Sequence, residues 1–280
     1  MASWCWLASA IVNPTIAEDQ KALGLLQQAK VAWHKGLIKK AQDLADKAVE
    51  ADPKNRESYF FRGAMHESLL QHDKAIPDYD QVLKLDPKAA DIYQRRGCAH
   101  FKLGHIKESM ADFDKFIELK PDRAPYHWQR GISCYYAGRF EEGRRQFERH
   151  QTVNPEDVEN AVWHFLCVTR SAGLEKARAF LMLIKEDRRV PMMQVYALFA
   201  GKGAADEVLA AAPAGKPSPE ELKNRLFYAH FYLALYCDIT GDTKLAWGHI
   251  SKAVQEYGMD HYMGDVARVH AMQLSPSLKR

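Results

Sequence analysis

Residue types that do chemistry are plentiful in this 280-residue chain, but their spacing assembles no reaction centre. Twelve histidines and five cysteines would suffice for a metal site, yet no HExxH and no CxxC occurs, and zinc needs its ligands at short, fixed spacings. His66 and His100 share one repeat position, which fits packing better than ligation. Gly201-Lys202-Gly203 lacks the upstream glycine and the Ser/Thr of a phosphate-binding loop, and it joins helix to helix where a strand should precede. Serine, histidine, aspartate and cysteine are scattered, with no arrangement pointing to nucleophilic catalysis. The expectation is no enzyme, no catalytic residue, no cofactor and no metal.

The elements that would position any site repeat every 34 residues. Pro53, Pro87, Pro121 and Pro155 form one column, and Gly63, Gly97 and Gly131 a second, with Ala29 one period earlier. A third runs Ala41, Ala75, Ser109, Gly143, and a fourth Ala45, Tyr79, Phe113, Phe147. Each period predicts two helices folded together, with Gly63 facing Ala75 and Gly97 facing Ser109 where the backbones cross. The large residues fill the space beside the crossing. Each proline closes the second helix, since it cannot continue one and biases its predecessor to an extended conformation. Gly36, Gly104 and Gly138 sit where the first helix turns, and Leu70 stands in for glycine in the second repeat.

Composition permits this all-helical reading. Apolar residues at 47% and charged residues at 27% are ordinary for a globular chain. A net charge of +3 with interspersed signs gives no reason to expect nucleic acid, and no apolar run is long enough for a membrane span. Cys5, Cys98, Cys134, Cys167 and Cys237 are far apart and read as small buried helix residues. Residues 1–18 form a tail or a signal peptide: Trp4–Val12 is apolar, and Thr15 and Ala17 suit cleavage, but the positively charged start is missing. Export to a periplasm or lumen and residence in the cytoplasm both stay open.

The 34-residue period, with small residues at the eighth and twentieth places, aromatics near the fourth and twenty-fourth and a closing proline, resembles the tetratricopeptide repeat (TPR). The resemblance covers residues 20–157 and returns at 227–257, where Ala234, Gly241, Ala246 and Ala253 match the repeat. It implies an all-α, right-handed α-solenoid of helix-turn-helix repeats with a divergent helical C-terminal half. Four repeats would occupy 19–157, a divergent region 158–212, a linker 213–219, and a fifth hairpin with a capping helix, about His261–Leu274, 220–280. Within these, Pro77 predicts a local irregularity in a helix capped by Asp73. Helices are expected at Glu159–Ala172, Leu174–Ile184, Pro191–Ala200 and Ala204–Ala212, and another from Ser218-Pro219-Glu220-Glu221. Phe231-Tyr232, Tyr236 and Gly241-Asp242 are similar to bacterial envelope adaptor lipoproteins typified by NlpI, and Val162–Cys167 is similar to a block in chloroplast and cyanobacterial-type TPR proteins.

The repeat resemblance implies a concave groove lined by the first helix of each pair. In this chain the groove positions are Glu57, Phe60, Phe61 and Glu67; Asp91, Gln94, Arg95 and Lys102; and Trp128, Gln129, Tyr135 and Tyr136. Rings there would bury apolar side chains of a peptide, and Arg95 or Gln94 would reach its backbone or a carboxylate. The competing reading is that several of these aromatics pack only on neighbouring helices. Of the positions that grip a C-terminal carboxylate in some TPR cochaperones, only Lys30 and Arg95 fit, so that clamp is not expected. The function implied is a scaffold or adaptor that binds a protein or peptide. The alternative is a homodimer formed through 158–212, argued from apolar side chains at Trp163, Met192, Met193, Tyr196 and Phe199.

Overall fold

A computed structural model describes residues 14–275, with side chains from residue 20. The apolar run Trp4–Val12, with its export reading, and Cys5 lie outside the described residues. Among the described residues there are fifteen α-helices, one 3₁₀ segment and no strand. The chain is an all-α helical-repeat solenoid that divides into two compact units, Met1–Ile92 and Tyr93–Arg280.

The first unit holds α1 (Pro14–His34), α2 (Ile38–Ala51), α3 (Arg56–Ser68) and α4 (His72–Leu85), each packed on the next. Its core is built from Ala29, Ala32, Ala41, Ala45 and Met65, and the small alanines let the helices approach closely. Asn55 starts α3 by accepting from the Ser58 amide at 3.0 Å. Helix α4 runs through Pro77 without a break, and its N-terminal flanking residue is Gln71 rather than the expected Asp73 cap. Leu70 takes the left-handed turn at φ +58°, where Gly36 has φ +71° after α1.

The glycine column has a different partner from the one predicted. A Cβ on Gly63 would lie 3.0 Å from the Tyr79 ring, and one on Gly97 would lie 2.7 Å from Phe113. The aromatic column, buried throughout at Ala45, Tyr79, Phe113 and Phe147, therefore lies directly over the glycines, and the aromatic ring sets the need for a bare backbone. Small residues do meet at Gly143, where a Cβ would stand 3.3 Å from the Gly131 carbonyl oxygen.

The second unit comprises α5 (Ala90–Lys102, which begins before the divide), α6 (Ile106–Leu119), a 3₁₀ segment (Pro121–Tyr126), α7 (Trp128–Tyr136) and α8 (Phe140–Gln151). It continues with α9 (Val158–Ala172), α10 (Leu174–Ala179), α11 (Met192–Phe199), α12 (Ala205–Ala211), α13 (Pro219–Thr240), α14 (Thr243–Gln255) and α15 (Tyr262–Leu274). Ser218 caps α13, accepting from the Glu221 amide at 3.2 Å. The helix expected to reach Ile184 stops at Ala179. The chain beyond it is irregular, held where Glu156 accepts from the Lys185 and Glu186 amides at 2.7 and 3.3 Å.

Helix α9 is buried from Asn160 through Val168, with Asn160 and His164 as its buried polar side chains. It packs against α7, α8, α10, α11 and α13. Trp163, Met192 and Phe199 are buried at 1%, 1% and 0% exposure, and Met193 and Tyr196 pack against the same core. Of the side chains from which the dimer was argued, Trp163, Met192 and Phe199 are thus interior and Met193 and Tyr196 half-buried.

Candidate partner-binding surface

In the first unit the predicted groove positions lie on α3 and face α1. Lys30 Nζ stands 2.5 Å from Glu57 Oε1, with both side chains partly exposed, so the pair is worth at most about 1 kcal/mol. Phe60 and Phe61 are half-buried, and Phe61 packs against the alanine-rich core. Glu67 accepts a hydrogen bond from the Tyr79 hydroxyl at 2.5 Å, which directs that groove position toward its own repeat.

In the second unit the corresponding wall is covered by the chain itself. Helix α15, expected to close the end of the stack, packs on α14 and also reaches α5 and α7. Tyr262 stacks on Phe101 at 5.5 Å between centroids and meets Trp128 edge-on at 5.1 Å. One turn on, Asp265 Oδ2 is 3.4 Å from Lys102 Nζ, and its Oδ1 accepts from Arg268 at 2.5 Å. Further along, His270 meets Tyr136 at 6.1 Å. Aromatic contacts of this kind add about 1 kcal/mol each beyond burial. Almost every residue of α15 from Met263 to His270 is buried, with Arg268 the exception.

The other predicted groove residues divide between this wall and the interior. Gln94 is used internally: its Oε1 accepts from His127 Nε2, while its Nε2 donates to Cys98 Sγ at 3.5 Å. His127 Nδ1 in turn accepts from the Arg130 amide at 3.1 Å and caps α7. Tyr135 is a core residue at 6% exposure, packed on Trp163 and Phe140. Its hydroxyl accepts from Arg170 at 3.3 Å, and burial pushes it up to about 12. Arg95 and Gln129 are half-buried. The covered wall therefore brings Lys102 and Trp128 together with Phe101 and Tyr136 and excludes Tyr135.

Sequence reasoning missed Tyr262, Asp265 and His270 as the groups that occupy this wall. The residues themselves gave little signal, since Met263–His270 mixes Val266, Ala267 and Val269 with Asp265, Arg268 and His270 and so reads as an ordinary half-exposed helix. The contact is not fully satisfied: the Tyr136 and Tyr262 hydroxyls and both His270 nitrogens are buried with no hydrogen-bond partner in the chain. Burial without a partner lowers the His270 imidazole to about 4, and burial likewise takes His127 to about 4. Among the described residues no group of three or more His, Cys, Asp or Glu is placed to hold a metal ion, and no helix is long and apolar enough to cross a membrane.

Comparison with known proteins agrees with this geometry. Two family models, both described as tetratricopeptide repeat, match residues 26–90 and 63–127. No curated protein matches the chain. Among solved structures, a tetratricopeptide repeat protein from Parabacteroides merdae is similar with a TM-score of 0.58 at 14% identity, over 89% of this chain and 98% of that one. The MamA protein is similar at 0.52 and 18% identity, over 56% of this chain and 86% of its own. YrrB, described as a TPR protein with an unusual peptide-binding site, is similar at 0.52 and 17% identity, over 72% of this chain and 92% of its own. At these identities the likeness is one of fold. With its periodic columns, paired helices and two matching family models, the stretch 26–127 of the chain is built of tetratricopeptide repeats.

Proposed function

We propose that the chain is a non-enzymatic scaffold that holds a segment of a partner protein on the inner face of α1 and α3, against Lys30, Glu57, Phe60 and Phe61. The observation that carries this reading is the use of the matching face in the second unit, where Phe101, Lys102 and Trp128 already hold a helix. An inner face of rings and charged side chains is suited to a polypeptide, by the helix-in-groove mode in which anchors recur every three or four residues. A similar fold in YrrB is described as carrying a peptide-binding site, which supports the same use here. Self-association through 158–212 is less favoured, because Trp163, Met192 and Phe199, from which it was argued, are interior.

The test places a photo-crosslinking residue at position 60 in one preparation and at position 128 in another, each exposed to native lysate and read by mass spectrometry. Position 60 should crosslink to a partner that the Lys30→Glu/Phe60→Ala variant fails to capture while its helical circular dichroism is unchanged. Position 128 should crosslink to the chain's own α15. Capture retained by the double variant, or a partner crosslinked at 128, would put the site elsewhere.

A further inference from the structure

Between α7, α8, α9 and the start of α15 lies a cavity of about 250 Å³ whose lining combines two chemically distinct sets of side chains. One set is apolar, with Trp128, Trp163, Phe147 and Met263; the other is acidic, with Asp157 and Glu159. The volume is below the several hundred Å³ typical of drug-sized ligands, so the space suits a single side chain or a small organic molecule.

The acidic side chains outnumber the guanidinium that holds them. Arg189 donates to Asp157 at 2.6 Å, to Glu159 at 2.5 Å and to Asp187 at 2.6 Å, so three carboxylates share one guanidinium. Glu159 also accepts from the Tyr232 hydroxyl at 2.7 Å, and burial raises its carboxyl above the usual range. His150 Nδ1 lies 2.9 Å from the Pro125 carbonyl oxygen and its Nε2 4.0 Å from Asp157, which also accepts from Asn154 Nδ2 at 3.0 Å.

Two lining side chains, each more than nine-tenths buried, carry polar atoms with no partner. Asn160, at 3% exposure, spends its amide nitrogen on the Phe147 carbonyl and Gln151 at 3.1 and 3.0 Å, and its Oδ1 accepts from nothing in the chain. Trp163, at 1% exposure, has an unpartnered Nε1. A buried unmade hydrogen bond costs about 1–3 kcal/mol, and a bound molecule can recover it. The unpartnered Asn160 Oδ1 and the carboxylates of Asp157 and Glu159 are all acceptors, so the matching molecule carries donors. Two indole rings beside carboxylates also favour a cation over a neutral donor.

We propose that this cavity binds an alkylammonium or alkylguanidinium group, with Trp128 and Trp163 as aromatic walls, Asp157 and Glu159 selecting the charge, and Asn160 Oδ1 accepting from the ligand's N–H. The Trp163 indole N–H then has a carbonyl oxygen to meet when the cation is carried on a peptide backbone. The site lies apart from the α1 and α3 face and stands whether or not that face binds a partner.

Titration of the full chain, followed by tryptophan fluorescence and calorimetry, tests this with three probes: agmatine as a free cation, lysine blocked at both ends, and blocked norleucine as its uncharged counterpart. Either cation should bind at least about tenfold more tightly than norleucine. Tighter binding of blocked lysine identifies a peptide-borne side chain as the source, and equal or tighter binding of agmatine identifies a small free amine. Asp157→Asn should weaken the cation about tenfold and leave norleucine unchanged; asparagine keeps the N-cap that Asp157 supplies to α9. Norleucine binding as well as lysine, or no saturable change with any probe up to about 10 mM, would overturn the proposal on the unaltered chain, whatever the variant does.

Discussion

In Met1–Ile92 the inner faces of α1 and α3 present Lys30, Glu57, Phe60 and Phe61 at half-buried or exposed positions. In Tyr93–Arg280 the matching faces of α5 and α7 carry Phe101, Lys102, Trp128 and Tyr136 beneath the chain's own α15. The repeat dictates which side chains share a face, because every 34 residues return to the same helical phase. Whether the face is filled depends on a helix more than a hundred residues away in sequence, chosen by side-chain fit. A shared repeat thus yields one face suited to a partner and another that has become part of a core.

The largest expected contrast comes from charging the two faces differently. Val266 on α15 is fully buried, and Val266→Asp should cost about 4 kcal/mol or more in urea unfolding, through an unpaired charge in an apolar site. Phe60→Ala, at a half-buried position, should cost about 1 kcal/mol. Equal penalties would erase the distinction between the faces.

Acid should then act on the second unit. His127 and His270 fall from 6.5 in the unfolded chain to about 4 when folded, chiefly through desolvation. Between pH 6.5 and 4 the unfolded chain therefore binds protons that the folded chain does not, and stability drops as pH drops through that window. Each imidazole contributes at most about 3 kcal/mol. His270→Leu should flatten the slope between pH 6.5 and 4 in denaturant titrations at stepped pH, whereas an unchanged slope would mean that His270 is not buried against Tyr136.

A smaller effect is expected in the first unit. Leu70 holds φ +58° where Gly36, Gly104 and Gly138 occupy the equivalent turns. Leu70→Gly should raise stability by up to about 1 kcal/mol, since the left-handed conformation costs a side-chain-bearing residue about that much. A lowered melting temperature would show that the exposed leucine makes a contact worth more than its backbone strain.

Much of this architecture was legible in the residues. Proline, glycine and aromatic columns placed the paired helices, and Ser218-Pro219-Glu220-Glu221 marked the start of α13 by cap chemistry alone. One legible feature was passed over: Arg62, Arg96 and Arg130 precede the three column glycines. Arg62 and Arg96 pair with Asp78 and Asp112 sixteen residues on, at 2.7 and 2.6 Å, and Arg130 with Asp114 sixteen back, at 2.6 Å. The site was less legible. Tyr135 occupies a groove position by count but turns into the core, because α9 and Trp163 arrive beside it from outside the period. Trp163 and Phe199 looked like surface for the same reason, as an apolar run alone does not say which distant helix will cover it. The irregular segment after Ala179 is held by side chain-to-backbone bonds from Glu156 and Asp187, which leave no periodic trace.

Amide hydrogen exchange on the unaltered chain addresses the occupied wall most directly. The amides of Val266–His270 should exchange as slowly as those of α9, since both helices open only when the second unit's core does. Exchange at those residues as fast as at the ends of helices, with α9 still protected, would mean that α15 leaves the wall in solution and that Phe101, Lys102 and Trp128 are open to a partner after all.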